Sequence, residues 1–230
     1  MMMLPASQVK TPDGKAHELA SRVSHEVIEG IGHLTLTDAE HRNVLSSALV
    51  EEARVAHEDF IASGVRIAVL HHAGPVFCAG RDPDFVRLPG VPPAGAAFID
   101  SIDDSPLLWV AAVDGEVLGA GIHLMTNCAW AVLTDRSSIQ VPELDAGIYP
   151  RPVGEELASI VGPRRAFQMI LTREAMDAAS AVRFGLANET IPVGGLRMAV
   201  ARRVAMLAAI PEHLLPQVRG AWRSRLATRP

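Results

Sequence analysis

Three short runs of aliphatic residues constrain the fold of this chain more than any other feature of its sequence. They cover residues 65–71, 107–113 and 129–134. Each run contains at least four consecutive apolar residues, whereas a strand buried on one face has them at alternate positions, and this is typical of strands buried on both faces of a parallel sheet. Parallel strands are joined by crossovers that are usually helical, so the runs predict an α/β protein.

The segments before these runs fit the same class. Residues 24–28 and 31–36 are strand-like, and their closeness predicts a hairpin. Ser46 or Ser47 is expected to cap a helix with apolar residues at helical spacing, and Gly64 is expected to end it.

The second half of the chain is predicted to be mainly helical. From about residue 153 onward, helical patterns are broken only by glycines and by a strand-like stretch at 189–192. We therefore expect a loose N-terminal leader (1–20), a core (21–192) and a C-terminal helical segment (193–230).

Composition and charge argue against two classes of site. The formal net charge is −5 and no stripe of Lys and Arg residues stands out, so a nucleic-acid partner is not expected. The two cysteines, Cys78 and Cys128, lack metal-ligand spacing and indicate a reduced compartment. The histidines also lack the spacing of a metal site, so no bound metal is expected.

Membrane association is not expected either. The longest apolar stretch, residues 109–125, contains Asp114, Glu116 and His123, which a bilayer-spanning helix rarely tolerates. The first residues become polar too soon for the core of a secretory signal. These features predict a cytoplasmic protein.

Two glycine-bearing turns carry the functional information. Residues 74–82 follow the first aliphatic run, and residues 115–121 follow the second and lead into a helix. Small residues let the backbone approach a ligand closely, and a helix N-terminus presents free N–H groups. Two such donors aimed at one oxygen would stabilise an enolate or a tetrahedral oxyanion.

Five segments, in this order, resemble the crotonase (enoyl-CoA hydratase/isomerase) superfamily. They are residues 41–46, 77–82, 111–121, 141–143 and 171–189. The resemblance covers about residues 22–200. It implies a ββα spiral core, a C-terminal helical region that is shortened here, and a homo-oligomer, either a trimer or a hexamer.

The resemblance also implies where the site lies. The backbone N–H groups of Arg81 and Ala120 would form the oxyanion hole, with Gly119 beside the substrate. Glu143, in a Pro-Glu pair, would be the catalytic acid or base. The implied CoA-binding residues are Arg42, Asn43, Ala79 and Gly80. No separate cofactor is implied, because CoA is part of the substrate.

Two side chains depart from the family pattern. His123 stands where the family's hydratases carry a first glutamate. It is either a substrate-directed group, as a second acid or base or as a hydrogen-bond donor to a substrate carbonyl, or a histidine held by a neighbouring carbonyl. Arg151 lies in a loop that is glycine-rich in most relatives, and either binds a substrate carboxylate or pairs with Glu155 or Glu156.

Arg81 is bulky for a residue beside a thioester channel. Its side chain either reaches the CoA portion of the substrate or pairs with Asp82 or Asp84.

Three functions remain open at this point. The first is an enzyme on acyl-CoA or acyl-carrier thioesters that forms an enolate, with Glu143 as its single carboxylate and isomerisation or hydration as the reaction. The second is a C–C hydrolase or decarboxylase on the same scaffold that uses His123 and Arg151. The third is a non-catalytic acyl-CoA-binding protein.

Overall fold

The computed structural model describes residues 21–82 and 94–227. The expected leader, residues 1–20, lies outside the described residues.

Ten strands form in the described ranges. They are β1 (Val23–Ile28), β2 (Ile31–Leu36), β3 (Ile67–His72), β4 (Val76–Cys78), β5 (Leu108–Val113), β6 (Glu116–Leu118), β7 (Trp130–Thr134), β8 (Ser138–Gln140), β9 (Met176–Asp177) and β10 (Glu189–Ile191). All the runs that the sequence predicts as strands become strands, with ends shifted by up to two residues.

The strands make two sheets. The larger has the order β1-β2-β3-β5-β7-β10, and only its β1–β2 hairpin is antiparallel. The smaller has the order β4-β6-β8-β9, parallel except for the β8–β9 pair. This mixed α/β architecture confirms the predicted fold class.

Eight α-helices connect and cover the sheets in the described ranges. They are α1 (Ser47–Ala62), α2 (Ala94–Asp103), α3 (Ala120–Thr126), α4 (Arg151–Val161), α5 (Pro163–Thr172), α6 (Ala178–Arg183), α7 (Leu196–Ala208) and α8 (Leu215–Ala227). Ser46 caps α1 as predicted, because its Oγ accepts a hydrogen bond from the Leu49 N–H at 3.3 Å. None of the helices in the described ranges is both long and apolar enough to span a membrane.

The larger sheet separates two apolar clusters. Alternate residues of β3 point to opposite faces, so Leu70 joins the main cluster beside α1 and Val69 joins the second cluster. The second cluster is closed by α7, which contributes Val200 and Leu207. Because β3 and β5 are covered on both faces, their sequences are apolar at successive positions.

The strand order also positions the glycine turns. β3 continues into β4, and β5 continues into β6. β4 and β6 are neighbours in the smaller sheet, with Val76 opposite Glu116 and Cys78 opposite Val117. The turns that follow these two strands are therefore held side by side at one edge of the molecule's core.

Candidate active site

The two glycine turns touch through their backbones. A Cβ atom added at Gly121 would lie 2.5 Å from the carbonyl oxygen of Cys78, and one added at Gly80 would lie 3.2 Å from the nitrogen of Ala120. Gly80 and Gly119 also have positive φ angles, of 93° and 51°. Only residues without a Cβ allow this contact without strain.

Helix α3 begins at Ala120, between these two contacts. The N–H of a first helical residue has no acceptor within its own helix. The preceding N–H, that of Gly119, is fixed by donating to the carbonyl of Gln140 at 3.0 Å. The helix start is thus held against the Gly80–Arg81 segment with its leading N–H beside that segment.

A cavity of about 480 Å³ opens at this junction. Five residues predicted from the sequence line it: Ala79, Gly80, Arg81, Ala120 and Glu143. Much of the remaining wall is apolar and comes from the segment after Glu143, at Ile148, Tyr149, Pro150, Pro152 and Val153. The cavity therefore combines two backbone turns, the carboxylates of Glu143 and Asp145 and an apolar wall, which is the usual make-up of a small-molecule site.

Glu143 is placed for chemistry on a ligand in this cavity. It begins a single 3₁₀ turn, Glu143–Ala146, and its carboxylate lies so close to Gly119 that a Cβ there would collide with it. Its Oε2 is buried and has no hydrogen-bond partner among the described residues. Burial raises the pKa of Glu143, and the positive charge of Arg81 opposes that rise.

Arg81 contributes a cationic side chain to the wall, which also contains the carboxylates of Glu143 and Asp145. Its side chain is half-buried, and its Nε is buried without a hydrogen-bond partner in the described part of the chain. Burial lowers the pKa of Arg81, whereas the charges of Asp100 and Glu143 raise it. Asp84, one of the partners that the sequence left open for it, lies outside the described residues.

A family model described as Enoyl-CoA hydratase/isomerase matches residues 26–228, which is most of the chain. The chain belongs to this family. Among curated proteins, it is 28% identical to human enoyl-CoA hydratase domain-containing protein 3, mitochondrial, over 79% of this chain and 63% of that protein. It is 30% identical to rat ethylmalonyl-CoA decarboxylase over 70% of this chain and 57% of that protein. The chain thus spans about three fifths of the length of these two relatives.

Relatives of closer length and solved structures agree with this assignment. A probable enoyl-CoA hydratase of Mycobacterium leprae is 31% identical over 70% of this chain and 67% of that protein. The crystal structure of an enoyl-CoA hydratase from Mycobacterium smegmatis superposes with a TM-score of 0.81 at 25% identity, over 90% of this chain and 84% of that one. A putative enoyl-CoA hydratase from Mycobacterium avium paratuberculosis gives 0.79 at 29% identity with the same coverage. The resemblance predicted from the sequence is confirmed.

The turn that contains Arg42 and Asn43 braces the first glycine turn. The resemblance to the enoyl-CoA hydratase/isomerase superfamily implies that this Arg-Asn turn binds CoA. The Ala79 N–H donates to the Arg42 carbonyl at 3.0 Å, and the Leu45 N–H donates to the Gly80 carbonyl at 2.8 Å. Asn43 is fully buried, and its Nδ2 donates to the carbonyls of Ala73 and Val76. The structure thus gives Asn43 a bracing role.

The Arg42 side chain points elsewhere. It is exposed and forms an ion pair with Glu116 at 3.0 Å. Neither Arg42 nor Asn43 lines the described cavity. Their contact with CoA stays a prediction.

His123 does not line the cavity in the described part of the chain. Its Nε2 lies 3.0 Å from the carbonyl oxygen of Pro152, so the ring can link α3 to the first turn of α4. Of the two roles open from the sequence, this geometry favours the histidine held by a neighbouring carbonyl. A catalytic role for His123 stays an untested prediction.

Arg151 also lies away from the described cavity wall. Its side chain is 76% exposed, and its Nη1 lies 3.8 Å from Oε1 of Glu155, four residues later on α4. The sequence analysis gave this pairing as the alternative to a role of Arg151 in substrate binding.

Sequence reasoning missed the apolar wall at residues 148–153. The prolines on either side of Arg151 are unusual for the enoyl-CoA hydratase/isomerase family, but the charge of Arg151 made it the candidate for substrate binding in this segment. In the structure its neighbours Tyr149, Pro150 and Pro152 line the cavity instead. No group of three or more metal-ligating side chains occurs in the residues that the structure describes.

Proposed function

We propose that this protein is an enzyme acting on acyl-CoA or acyl-carrier thioesters through an enolate intermediate. The N–H groups of Arg81 and Ala120 bind the thioester oxygen, and Glu143 is the acid/base. The observation that carries the proposal is the contact of the Glu143 carboxylate with Gly119, immediately before the first N–H of helix α3, that of Ala120. Glu143 and Ala120 line the same cavity, which supports the proposal that they act as acid/base and oxyanion donor on one substrate.

The chemistry follows from charge development. Removing the proton on the carbon next to a thioester moves an electron pair onto the carbonyl oxygen. Two N–H donors that already point at that oxygen stabilise the charge without having to reorganise. Because burial raises the pKa of Glu143, its carboxylate is a stronger base than a solvated one and can return the proton to another carbon.

Double-bond isomerisation is the reaction that this arrangement favours. Hydratases of the resembled superfamily place a water between two glutamates, whereas its isomerases use a single carboxylate. Here Glu143 lines the described cavity, and His123 occupies the other position and contacts the Pro152 carbonyl. One carboxylate suffices for an isomerase, since it can carry one proton between two carbons of the same acyl group.

Decarboxylation is the second candidate, and a specific observation supports it. A cationic side chain, Arg81, lines the cavity, and a rat relative is named ethylmalonyl-CoA decarboxylase. In this reaction the bond to the carboxylate breaks, CO₂ leaves, and its electron pair forms the enolate. Glu143, whose pKa is raised by burial, then gives its proton to the α-carbon and regains one from water.

The other properties expected from the sequence remain part of the proposal. We infer no cofactor beyond the CoA of the substrate, assembly as a homo-oligomer, and a cytoplasmic location. The human relative carries the word mitochondrial in its name, so fractionation of cells that express the protein is the direct check on location.

A substrate panel tests the proposal. Purified protein and Glu143→Gln are each incubated with 2-enoyl-, 3-enoyl-, 3-oxo- and malonyl-type CoA esters, and products are identified by mass spectrometry. We expect one class to be converted by the unmodified protein and conversion to fall by at least about a hundredfold in Glu143→Gln. Binding of the esters without conversion would instead identify a non-catalytic acyl-CoA-binding protein and contradict the proposal.

A further inference from the structure

The side chain of Arg81 has no assigned partner, although its backbone belongs to the proposed oxyanion hole. The guanidinium is half-buried in the wall of the cavity. Glu143 and Asp100 lie within electrostatic range, but neither forms an ion pair with it in the described part of the chain. Its Nε is buried with no hydrogen-bond acceptor among the described residues.

Such an arrangement has an energetic cost. Removing a guanidinium from water is unfavourable unless an anion or hydrogen-bond acceptors replace the water. The carboxylates in the same wall offset this cost only in part, because among the described residues Glu143 forms no ion pair with Arg81 and Asp145 pairs with Arg173 at 2.9 Å. The half-buried guanidinium, whose Nε has no acceptor among the described residues, would therefore be stabilised by a ligand anion.

The position of Arg81 decides which part of a ligand supplies the anion. If its N–H holds the thioester oxygen, its side chain starts at the thioester. The pantetheine arm that separates the thioester from the CoA phosphates is much longer than an arginine side chain. The anion must therefore belong to the acyl group, and arginine binds planar carboxylates with paired hydrogen bonds.

We propose that Arg81 binds a carboxylate on the acyl group, so that the preferred substrates are thioesters of dicarboxylic acids. This inference rests on the proposed function and specifies its substrate class. The apolar wall at Ile148, Pro150 and Val153 suits the carbon chain between the thioester and the carboxylate. Arg151, which the sequence suggested for this role, is exposed and pairs with Glu155.

Equilibrium binding to matched ester pairs tests the inference. Isothermal titration calorimetry compares malonyl-CoA with propanoyl-CoA, and glutaryl-CoA with pentanoyl-CoA, on full-length protein carrying Glu143→Gln so that no ester is consumed. In at least one pair we expect the carboxylated ester to bind about tenfold tighter or more, as for other charge-assisted hydrogen bonds. Equal affinities in both pairs would overturn the inference.

Three variants at two arginines identify the residue responsible. Arg81→Met should remove the preference, Arg81→Lys should keep part of it, and Arg151→Met is the matched control that should keep all of it. If the preference survives in Arg81→Met, or is lost in Arg151→Met, Arg81 is not the carboxylate-binding residue. Should Arg81→Met not fold, as judged by circular dichroism, an undiminished preference in Arg81→Lys decides against the inference and a reduced one supports it.

The outcomes also separate this inference from the proposed function. If no CoA ester binds, the proposed function itself fails. If neutral esters bind and are converted but carboxylated ones show no advantage, the enzyme assignment stands and only the role of the Arg81 side chain is rejected.

Discussion

At the scale of single residues, the charge state of Glu143 depends on opposing effects. Burial of its carboxyl group raises its pKa, whereas a hydrogen bond to its own backbone and the nearby guanidinium of Arg81 lower it. The first effect is the larger, so Glu143 holds a proton to higher pH than a solvated glutamate does. Glu143 and Arg81 together therefore determine how basic the site is and how much positive charge it presents.

The pH dependence of turnover should show this balance. Glu143 must be ionised to remove a proton, so kcat/KM should fall on the acid side at a pH above the pKa of an ordinary glutamate. Arg81→Met removes the charge that lowers the pKa of Glu143, so its acid limb should move to higher pH. The limb of Arg151→Met should stay in place, since Arg151 pairs with Glu155 outside the cavity. A limb that moves to lower pH in Arg81→Met would contradict this account.

The sequence predicted residue identities better than side-chain directions. The resemblance to the enoyl-CoA hydratase/isomerase superfamily assigns Glu143, Ala120 and Arg81 to one site, and the structure brings them together in one cavity. Asn43 and His123 could not be assigned in this way. An amide and an imidazole bind backbone carbonyls as readily as ligands, and only the packed structure shows that Ala73, Val76 and Pro152 supply those carbonyls.

At the scale of structural elements, the site depends on the contact between the first glycine turn and the start of α3. Gly121 lies one residue inside that helix and faces the carbonyl of Cys78, the last residue of β4. The contact is between backbone atoms, so no side chain can rotate away to relieve a clash. The spacing of the two proposed N–H donors is therefore fixed by the absence of one Cβ.

Gly121→Ala should separate the two turns. The added Cβ would lie 2.5 Å from the Cys78 carbonyl oxygen. We expect the free energy of unfolding to fall by about 1–3 kcal/mol and turnover to fall with it. Gly220→Ala is the matched control, because nothing lies within 4 Å of a Cβ there and alanine favours helix α8. Urea denaturation and initial rates measure both variants, and equal stability and activity in Gly121→Ala would refute the close-contact argument.

Elements were predictable where they are long and periodic. The helix capped by Ser46 and the strands of the larger sheet follow from apolar spacing and capping. The smaller sheet was not predicted, since its strands have only two or three residues and β4 lies in a segment expected to be a loop. Strands of two or three residues are too short to show an apolar period. Their pairing depends on the longer crossovers that bring them together.

At the scale of the whole molecule, a group of histidines links stability to pH. The rings of His33 and His71 are stacked, with Nδ1 of the first 3.1 Å from Nε2 of the second. Burial, followed by the charges of His33 and His72, lowers the pKa of His71 to about 4. His72 accepts a hydrogen bond from the Asp114 N–H at 3.0 Å, which requires its Nε2 to be unprotonated.

Stability should therefore fall on mild acidification. The unfolded chain protonates His71 near the ordinary histidine pKa of about 6.5, whereas the folded chain resists protonation down to about 4. Between these values the unfolded state binds more protons, so the free energy of unfolding falls as pH falls, on the order of 2 kcal/mol from this group. Chemical denaturation at a series of pH values from 7 to 4 gives the free energy of unfolding as a function of pH. The slope of that plot should be shallower for His71→Gln than for the unmodified protein. The exposed His213 provides the control variant, and a His71→Gln slope equal to that of His213→Gln would contradict the argument.

The most direct test of the central claim is solvent exchange at the α-carbon of a bound thioester. The protein is incubated with saturated and unsaturated acyl-CoA esters in deuterium oxide, and deuterium in the acyl group is measured by mass spectrometry. Our account predicts incorporation at the α-carbon that is lost in Glu143→Gln while binding of the same ester persists. Binding without incorporation, or incorporation at an unchanged rate in Glu143→Gln, would show that Glu143 and the backbone N–H pair do not form the proposed enolate site.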